Sequence, residues 1–383
     1  FKYFNFASQA TADVLGLFFG IEIPNPPFLD VLLPVGISFY TFQTLSYTID
    51  IYRRKLEPTR NFFQFAFFVT YFPQLVAGPI VRASQLLPQL QRKITLKDDQ
   101  VTQGLFLIAT GMVKKVAIAD YLSVNLVDRV FDQPELYSGA EVVIALYGFT
   151  MQIYCDFSGY TDVARGSAKL MGLELPENFD RPYQSASPAE FWRRWHMTLS
   201  TWLRDYLYYP LGGSHVGPLR AYWNLWLTMF LIGIWHGASW TFVFYALLQS
   251  GAMVIHRFFY RRSGRSRDTI DSWQLHAFKV FWALQFVVFS RILFRANSLQ
   301  NAADVTARLG SGTFSVAQIS PEVWAMLILT FAAHYTPKRW FEAIELRFKS
   351  MPAPAQGFAL AAVGFVLSVV ATSEVVPYIY FQF

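Results

Sequence analysis

From Trp223 to Leu248 the chain carries no Asp, Glu, Lys or Arg. At about 1.5 Å per residue such a run is long enough to cross a hydrocarbon core of about 30 Å. Nothing else restricts the fold as much, because backbone polar groups in lipid have to be satisfied within the protein itself. The run reads as one membrane span, and His236 stands at its middle in the stretch GIWHGASW. An ionisable side chain at that depth is costly unless it faces the protein interior or a water-filled cavity, which makes functional use the default reading. The other reading is an interhelical hydrogen bond. Gly233 and Gly237 form a Gly-x-x-x-Gly pair, which would let a second helix come close and hold the imidazole in one orientation.

The composition fits a polytopic membrane protein: hydrophobic residues make up 54%, aromatic residues 18% and charged residues only 15%. The formal charge of +6 falls in loops such as Arg53-Arg54-Lys55 and the basic stretch from Arg261 to Arg267. These read as juxtamembrane segments, so no nucleic-acid partner is expected. Cys155 is the one cysteine, which excludes an internal disulfide and a cysteine-based metal cluster. No metal site is expected.

Along the chain, an apolar stretch over 10–23 ends at Pro24-Asn25-Pro26-Pro27, and Phe28 to Ile51 is expected to form a span. Asn61 to Tyr71 is apolar enough to enter the membrane, but Phe72 to Pro79 carries two prolines and a glycine. That stretch is either a re-entrant element packed inside the bundle or a surface loop after a short helix. Val101 to Val113 is a further apolar segment that runs into Lys114-Lys115, which mark an interface or a cavity wall. Ser138 and Glu141 have the spacing of a capping box, so a long helix should start there, with Gln152, Asp156, Gly159 and Tyr160 in one polar stripe. Asp156 is the buried candidate on it, for a structural hydrogen bond or for catalysis. Asp162 and Arg165 are expected to pair near the helix end.

A second capping box, Ser187-Pro188-Ala189-Glu190, opens a helix or broken helix that carries another Trp-His pair, Trp195-His196. On a continuous helix Trp192, Arg193, His196 and Ser200 share one side, with Arg194 nearby. That side is either the wall of an aqueous funnel or an interfacial helix with Trp and Arg at the headgroups. Later apolar runs cover 278–294, 323–333 and 358–370, and the end from Tyr378 to Phe383 is aromatic. No composition break marks a soluble domain, so 1–383 reads as one membrane domain with its motif-bearing core within 28–250.

An imidazole with an ordinary pKa of about 6.5 can take a proton from a hydroxyl near neutral pH, which is what acyl transfer from a thioester to an alcohol needs. Serine-nucleophile, metalloprotease and phosphate-loop motifs are absent from the sequence.

Several stretches together resemble the membrane-bound O-acyltransferase (MBOAT) family, in its bacterial alginate O-acetyltransferase branch. They are LPVGISFYTFQTLSYTIDIYR, YFPQLVAGPI, YCDFSGYTD, PENFDRPY, FWRRWHMTLSTWLRDYLYYPLGG, GIWHGASW and YIYFQF. The resemblance implies an all-α bundle with broken or re-entrant segments around a central funnel or tunnel. It implies a catalytic histidine at His236 and a second functional histidine at His196. Beside these, Trp195, Trp235, Arg193, Arg194 and Asp156 are candidate substrate- or donor-binding residues. The resemblance further implies acetyl-CoA as cytoplasmic donor, with no bound cofactor. The acetyl group would cross the inner membrane to a periplasmic acetyltransferase partner or an export complex acting on an extracellular polysaccharide. Family members carry N-terminal spans ahead of the first residue here. Two other classes remain open at this stage: a transporter or channel for a polysaccharide or acyl compound, and a non-catalytic scaffold of an export complex.

Overall fold

The computed structural model describes residues 2–31, 34–264, 271–371 and 376–379. Part of the LPVG stretch, the loop residues Arg265 to Arg267 and the end from Tyr380 therefore lie outside the described residues. Every regular element among the described residues is helical.

The first helix, α1 (Phe4–Phe19), ends on Gly20 in the left-handed region. The expected span from Phe28 to Ile51 is helical only in its second half, α2 (Ile37–Tyr52). Gly36, at φ 78°, starts that helix, and a Cβ there would lie 2.4 Å from the Leu75 carbonyl oxygen. A glycine is therefore required both by conformation and by close approach.

Next come α3 (Phe62–Thr70), capped by the Asn61 side chain, and the single turn α4 (Phe72–Leu75) with Pro73 in it. The irregular stretch that follows, up to α5 (Ala83–Gln91), is interior. Gln74, Ala77, Ile80 and Val81 are buried, and Ile80 donates its N–H to Thr198 Oγ1 at 3.0 Å. Irregular backbone survives there because side chains satisfy it, so it is not a surface loop.

The helix α6 (Asp98–Met112) does not stop at Lys114-Lys115. It continues through two π-helical stretches, Val113–Asp120 and Ser123–Val127, into α7 (Asp128–Asp132). Lys115 points inward from the first of these and reaches the carboxylates of Asp120 and Asp156, each at 2.7 Å.

The capping box forms as expected: Ser138 Oγ accepts from Glu141 N at 3.1 Å, and Ser138 N donates to Glu141 Oε2 at 2.8 Å. It opens α8 (Gly139–Leu170). α6 and α8 run antiparallel with Gly104 against Gly166 and Gly111 against Gly159. A Cβ on Gly111 would come within 2.6 Å of the Gly159 carbonyl, so the two backbones touch. The expected Asp162 to Arg165 pair is replaced. Lys114 takes Asp162 at 2.6 Å, and Arg165 reaches Glu177 at 3.1 Å, because α6 delivers a cation that sequence spacing alone does not reveal.

The remaining helices are α9 (Pro188–Arg194), α10 (Met197–Leu203), α11 (Pro218–His236), α12 (Trp240–Arg262), α13 (Trp273–Arg295), α14 (Leu299–Leu309), α15 (Pro321–Tyr335), α16 (Lys338–Lys349) and α17 (Ala353–Val370). Three of them, α12, α13 and α17, are long and apolar enough to cross a membrane by length and composition. α17 buries none of its residues and turns Phe358, Phe365 and Val369 outward, which suits lipid rather than water.

The charge-free run is not one span. It breaks at Gly237-Ala238-Ser239 into an antiparallel hairpin of α11 and α12, with Gly233 against Ala246 and Arg261 over the Tyr222 ring. Gly237 is extended (φ −165°) and Ser239 is the N-cap of α12, the two residue types least suited to a helix interior in that stretch. His236 thus ends a helix instead of sitting at mid-span.

Candidate functional site

The segment bearing Trp195-His196 is broken as well. α9 stops at Arg194, His196 takes the left-handed conformation (φ 46°, ψ 54°), and α10 starts at Met197. Trp192, Arg193, His196 and Ser200 therefore do not share one helical side. The Ser187 box is only half formed: Ser187 Oγ accepts from Glu190 N, but Glu190 Oε2 accepts from Ala186 N.

His196 is fully buried. Its Nδ1 lies 3.1 Å from Asn178 Oδ1, an oxygen that also accepts from Thr198 N at 3.2 Å and from Thr198 Oγ1 at 2.8 Å. A backbone N–H can only donate, so the Asn178 atom facing it is the carbonyl oxygen. His196 Nδ1 then carries the proton, and Nε2 keeps its lone pair. The same Thr198 hydroxyl accepts from Ile80 N, so one network ties the broken 72–82 stretch, the 172–186 loop and His196 together.

His196 lies edge-on to Phe157 at 4.8 Å, stacks with Phe39 at 6.3 Å and meets the indole of Trp235 at 6.1 Å between ring centroids. The Trp235 ring also lies 5.1 Å from His236. One indole therefore touches both imidazoles, although they come from positions 196 and 236 of the sequence. His236, 4% exposed, is further enclosed by Phe294 at 5.1 Å and by Phe242 and Tyr245, each at 6.4 Å. Lys2 Nζ and Tyr3 OH both donate to the Trp235 carbonyl at 3.3 Å, placing a cation at the C-terminal end of α11 where the helix dipole favours it. The arrangement is a buried, aromatic-walled chamber with two imidazoles, and its low dielectric strengthens any charge interaction formed within it.

The other residues singled out from the sequence are distributed differently. Trp195 is buried in the same chamber, 5.1 Å from Phe179 and 6.4 Å from Phe157. Arg194 is engaged by Glu190 at 2.8 Å, and Arg193 is exposed. Asp156 is held by Lys115 and accepts from Ile379 N at 2.9 Å, which anchors the segment 376–379 to α8. These three do not enter the ring contacts around the histidines.

A model of the MBOAT, membrane-bound O-acyltransferase family matches residues 52–296, a range that holds both imidazoles, Asn178, Trp195 and Trp235. The chain belongs to this family. It is 38% identical to the "Probable alginate O-acetylase AlgI" of Pseudomonas putida over 92% of this chain and 71% of that protein. It is 35% identical to the peptidoglycan O-acetyltransferase of Helicobacter pylori over 77% of this chain and 60% of that protein. It is also 28% identical to the teichoic acid D-alanyltransferase of Bacillus subtilis over 67% and 69% of the two chains.

In this MBOAT chain two polar residues at the chamber escaped the sequence reading. Asn178 lies inside the quoted stretch PENFDRPY, but an asparagine in a loop reads first as a turn residue. Arg291 lies near the end of the apolar run over 278–294, and it is 2% exposed, 4.9 Å over the Trp195 ring and 5.3 Å over the Phe294 ring. A third buried histidine, His334 on α15, accepts from Tyr183 N at 3.2 Å and packs edge-on to Tyr154.

Proposed function

We propose that this protein is a multi-pass acyltransferase of the bacterial inner membrane, one membrane domain over 1–383 with its motif-bearing core within 28–250. It moves an acetyl group from cytoplasmic acetyl-CoA to the hydroxyls of an extracellular polysaccharide such as alginate, through a periplasmic acetyltransferase or export complex. His236 is the general base or acyl-transfer residue. His196, with its lone pair fixed on Nε2, positions substrate or relays the proton. The observation that carries this reading is the shared indole of Trp235, which brings both imidazoles to one buried chamber.

Family membership supports O-acyl transfer, and relatives named for alginate and peptidoglycan O-acetylation support an acetyl group and a glycan acceptor. Two buried imidazoles beside aromatic walls suit proton transfer from a hydroxyl.

The test is transfer of radiolabel from acetyl-CoA to polymer in membranes carrying the full-length protein. His236→Ala is expected to lower the rate by about 10²–10⁴-fold, the usual worth of general-base catalysis. Acetylation at the wild-type rate by that variant, or movement of an unmodified compound without label transfer, would sink the reading.

A further inference from the structure

Arg291 on α13 presents an unusual account of its hydrogens. Its Nε and Nη2 have no hydrogen-bond partner among the described residues, although the residue is buried. Burial of a guanidinium is costly unless its donors are met, so a site that keeps two of them open is holding them for something. The group is positioned by the Trp195 and Phe294 rings, whose centroids lie 4.9 and 5.3 Å from its Cζ. The nearby Tyr183 hydroxyl gives its own proton to the Thr150 carbonyl at 2.6 Å.

Those contacts also place the guanidinium relative to the chamber. Trp195 is the neighbour of His196, and Phe294 packs on His236 at 5.1 Å. Val287, buried like Arg291, stands one helical turn before it on the same face of α13.

We propose that Arg291 is a catalytic residue that binds the acyl carbonyl oxygen and stabilises the oxyanion formed on it. The proposal rests on the acyl-transfer reading above. In the step, the acceptor hydroxyl oxygen bonds to the thioester carbonyl carbon while its proton passes to the imidazole of His236. The carbonyl π pair moves onto oxygen and is held by the Nε–H and Nη2–H of Arg291. The pair then returns, the C–S bond breaks, and the thiolate takes the proton from the imidazolium. Ester and free thiol leave. Preorganised donors of this kind act mainly on the transition state.

The experiment measures thiol release from acetyl-CoA, as kcat and KM, in membranes carrying the full-length protein, its Arg291→Gln variant or its Arg291→Lys variant, with thermal melts of each. For Arg291→Gln kcat is expected to fall by about 10²–10³-fold, the usual loss on removing an oxyanion donor, with little change in KM. Its melting temperature should hold or rise, since an unpaired buried charge is removed. Arg291→Lys keeps the charge but not the two-pronged donor geometry and should recover only part of the rate. The proposal is overturned if Arg291→Gln turns over at nearly the wild-type rate, or if both variants lose activity only in step with a lowered melting temperature. Absence of thiol release by the wild type would instead remove the acyl-transfer reading, and this assignment with it.

Discussion

Asn178→Ala tests how the site is held together. The wild-type carbonyl oxygen receives three hydrogens, from His196 Nδ1 at 3.1 Å, Thr198 N at 3.2 Å and Thr198 Oγ1 at 2.8 Å. Alanine removes the acceptor and leaves the Nδ1–H and the backbone N–H of Thr198 buried without a partner. The Thr198 hydroxyl is a smaller concern because it can rotate. An orphaned buried donor costs about 1–3 kcal/mol, so two of them predict a loss of about 2–6 kcal/mol in stability. Turnover should fall by a further 10–100-fold or so in the protein that remains folded, because the imidazole loses the partner that fixes its ring and tautomer. Asn178→Asp keeps an acceptor for each donor and should lose less stability than alanine does. Denaturant or thermal melts in detergent give the first quantity, and thiol release from acetyl-CoA per folded molecule gives the second. If Asn178→Ala melts with the wild type and turns over at its rate, the lone-pair assignment for His196 Nε2 has no support.

Asp156→Asn is expected to destabilise the protein by about 3 kcal/mol, near the low end for breaking a buried ion pair, because Lys115 keeps Asp120 at 2.7 Å. Melts that do not move would refute this, and a large loss of turnover at unchanged stability would restore a catalytic role for Asp156. A pH effect should come from Asp205, which lies on the turn after α10, outside the membrane-crossing helices. Burial pushes its carboxyl up, but hydrogen bonds from Arg204 and Arg82 outweigh burial and hold it below the ordinary carboxylate value. Its contribution is therefore fully present above the unfolded value of about 4 and is lost as pH falls through the lower folded value. Stability against pH should flatten on that acid limb in Asp205→Asn, and an identical limb in both proteins would refute the assignment.

The parts of the fold that were legible in the sequence are those specified by neighbours along the chain. The start of α8 could be read because a capping box needs only Ser138 and Glu141. The broken character of 72–79 could be read from Pro73, Gly78 and Pro79, since proline and glycine act on their own backbone. The hairpin at Gly237-Ala238-Ser239 could not. A charge-free run looks the same to hydropathy whether it crosses once or folds back, and the turn is enforced by packing of Gly233 on Ala246 and of Gly237 on Phe242. The π-helical course of α6 stayed hidden for a related reason: it brings Lys115 to carboxylates, one of which comes from another helix. The seven-residue spacing shared by Gly104 with Gly111 and by Gly159 with Gly166 was in the sequence to be found. It marks an antiparallel contact only once the two segments are known to be neighbours.

Both imidazoles sit where helices end, and this has a physical reason. In a helix interior a histidine's backbone is satisfied by the helix, and its side chain is tied to one face. At an end the backbone groups need other partners, and whatever supplies them can also orient the side chain. At His196 the left-handed conformation costs about 1–3 kcal/mol for a residue with a Cβ. Asn178 offsets that cost twice over, its backbone carbonyl accepting from Met197 N at 3.0 Å and its side chain binding Nδ1 and Thr198 N. At His236 the closing residue of α11 is sealed from outside, where Lys2 and Tyr3 bind the Trp235 carbonyl and Phe242 folds back beneath Gly237. The strain and the polar groups of the site are thus balanced locally, by residues that also fix the two rings. Substitutions at Asn178 or Gly237 should consequently lower stability and turnover together, whereas Arg291→Gln should lower turnover alone.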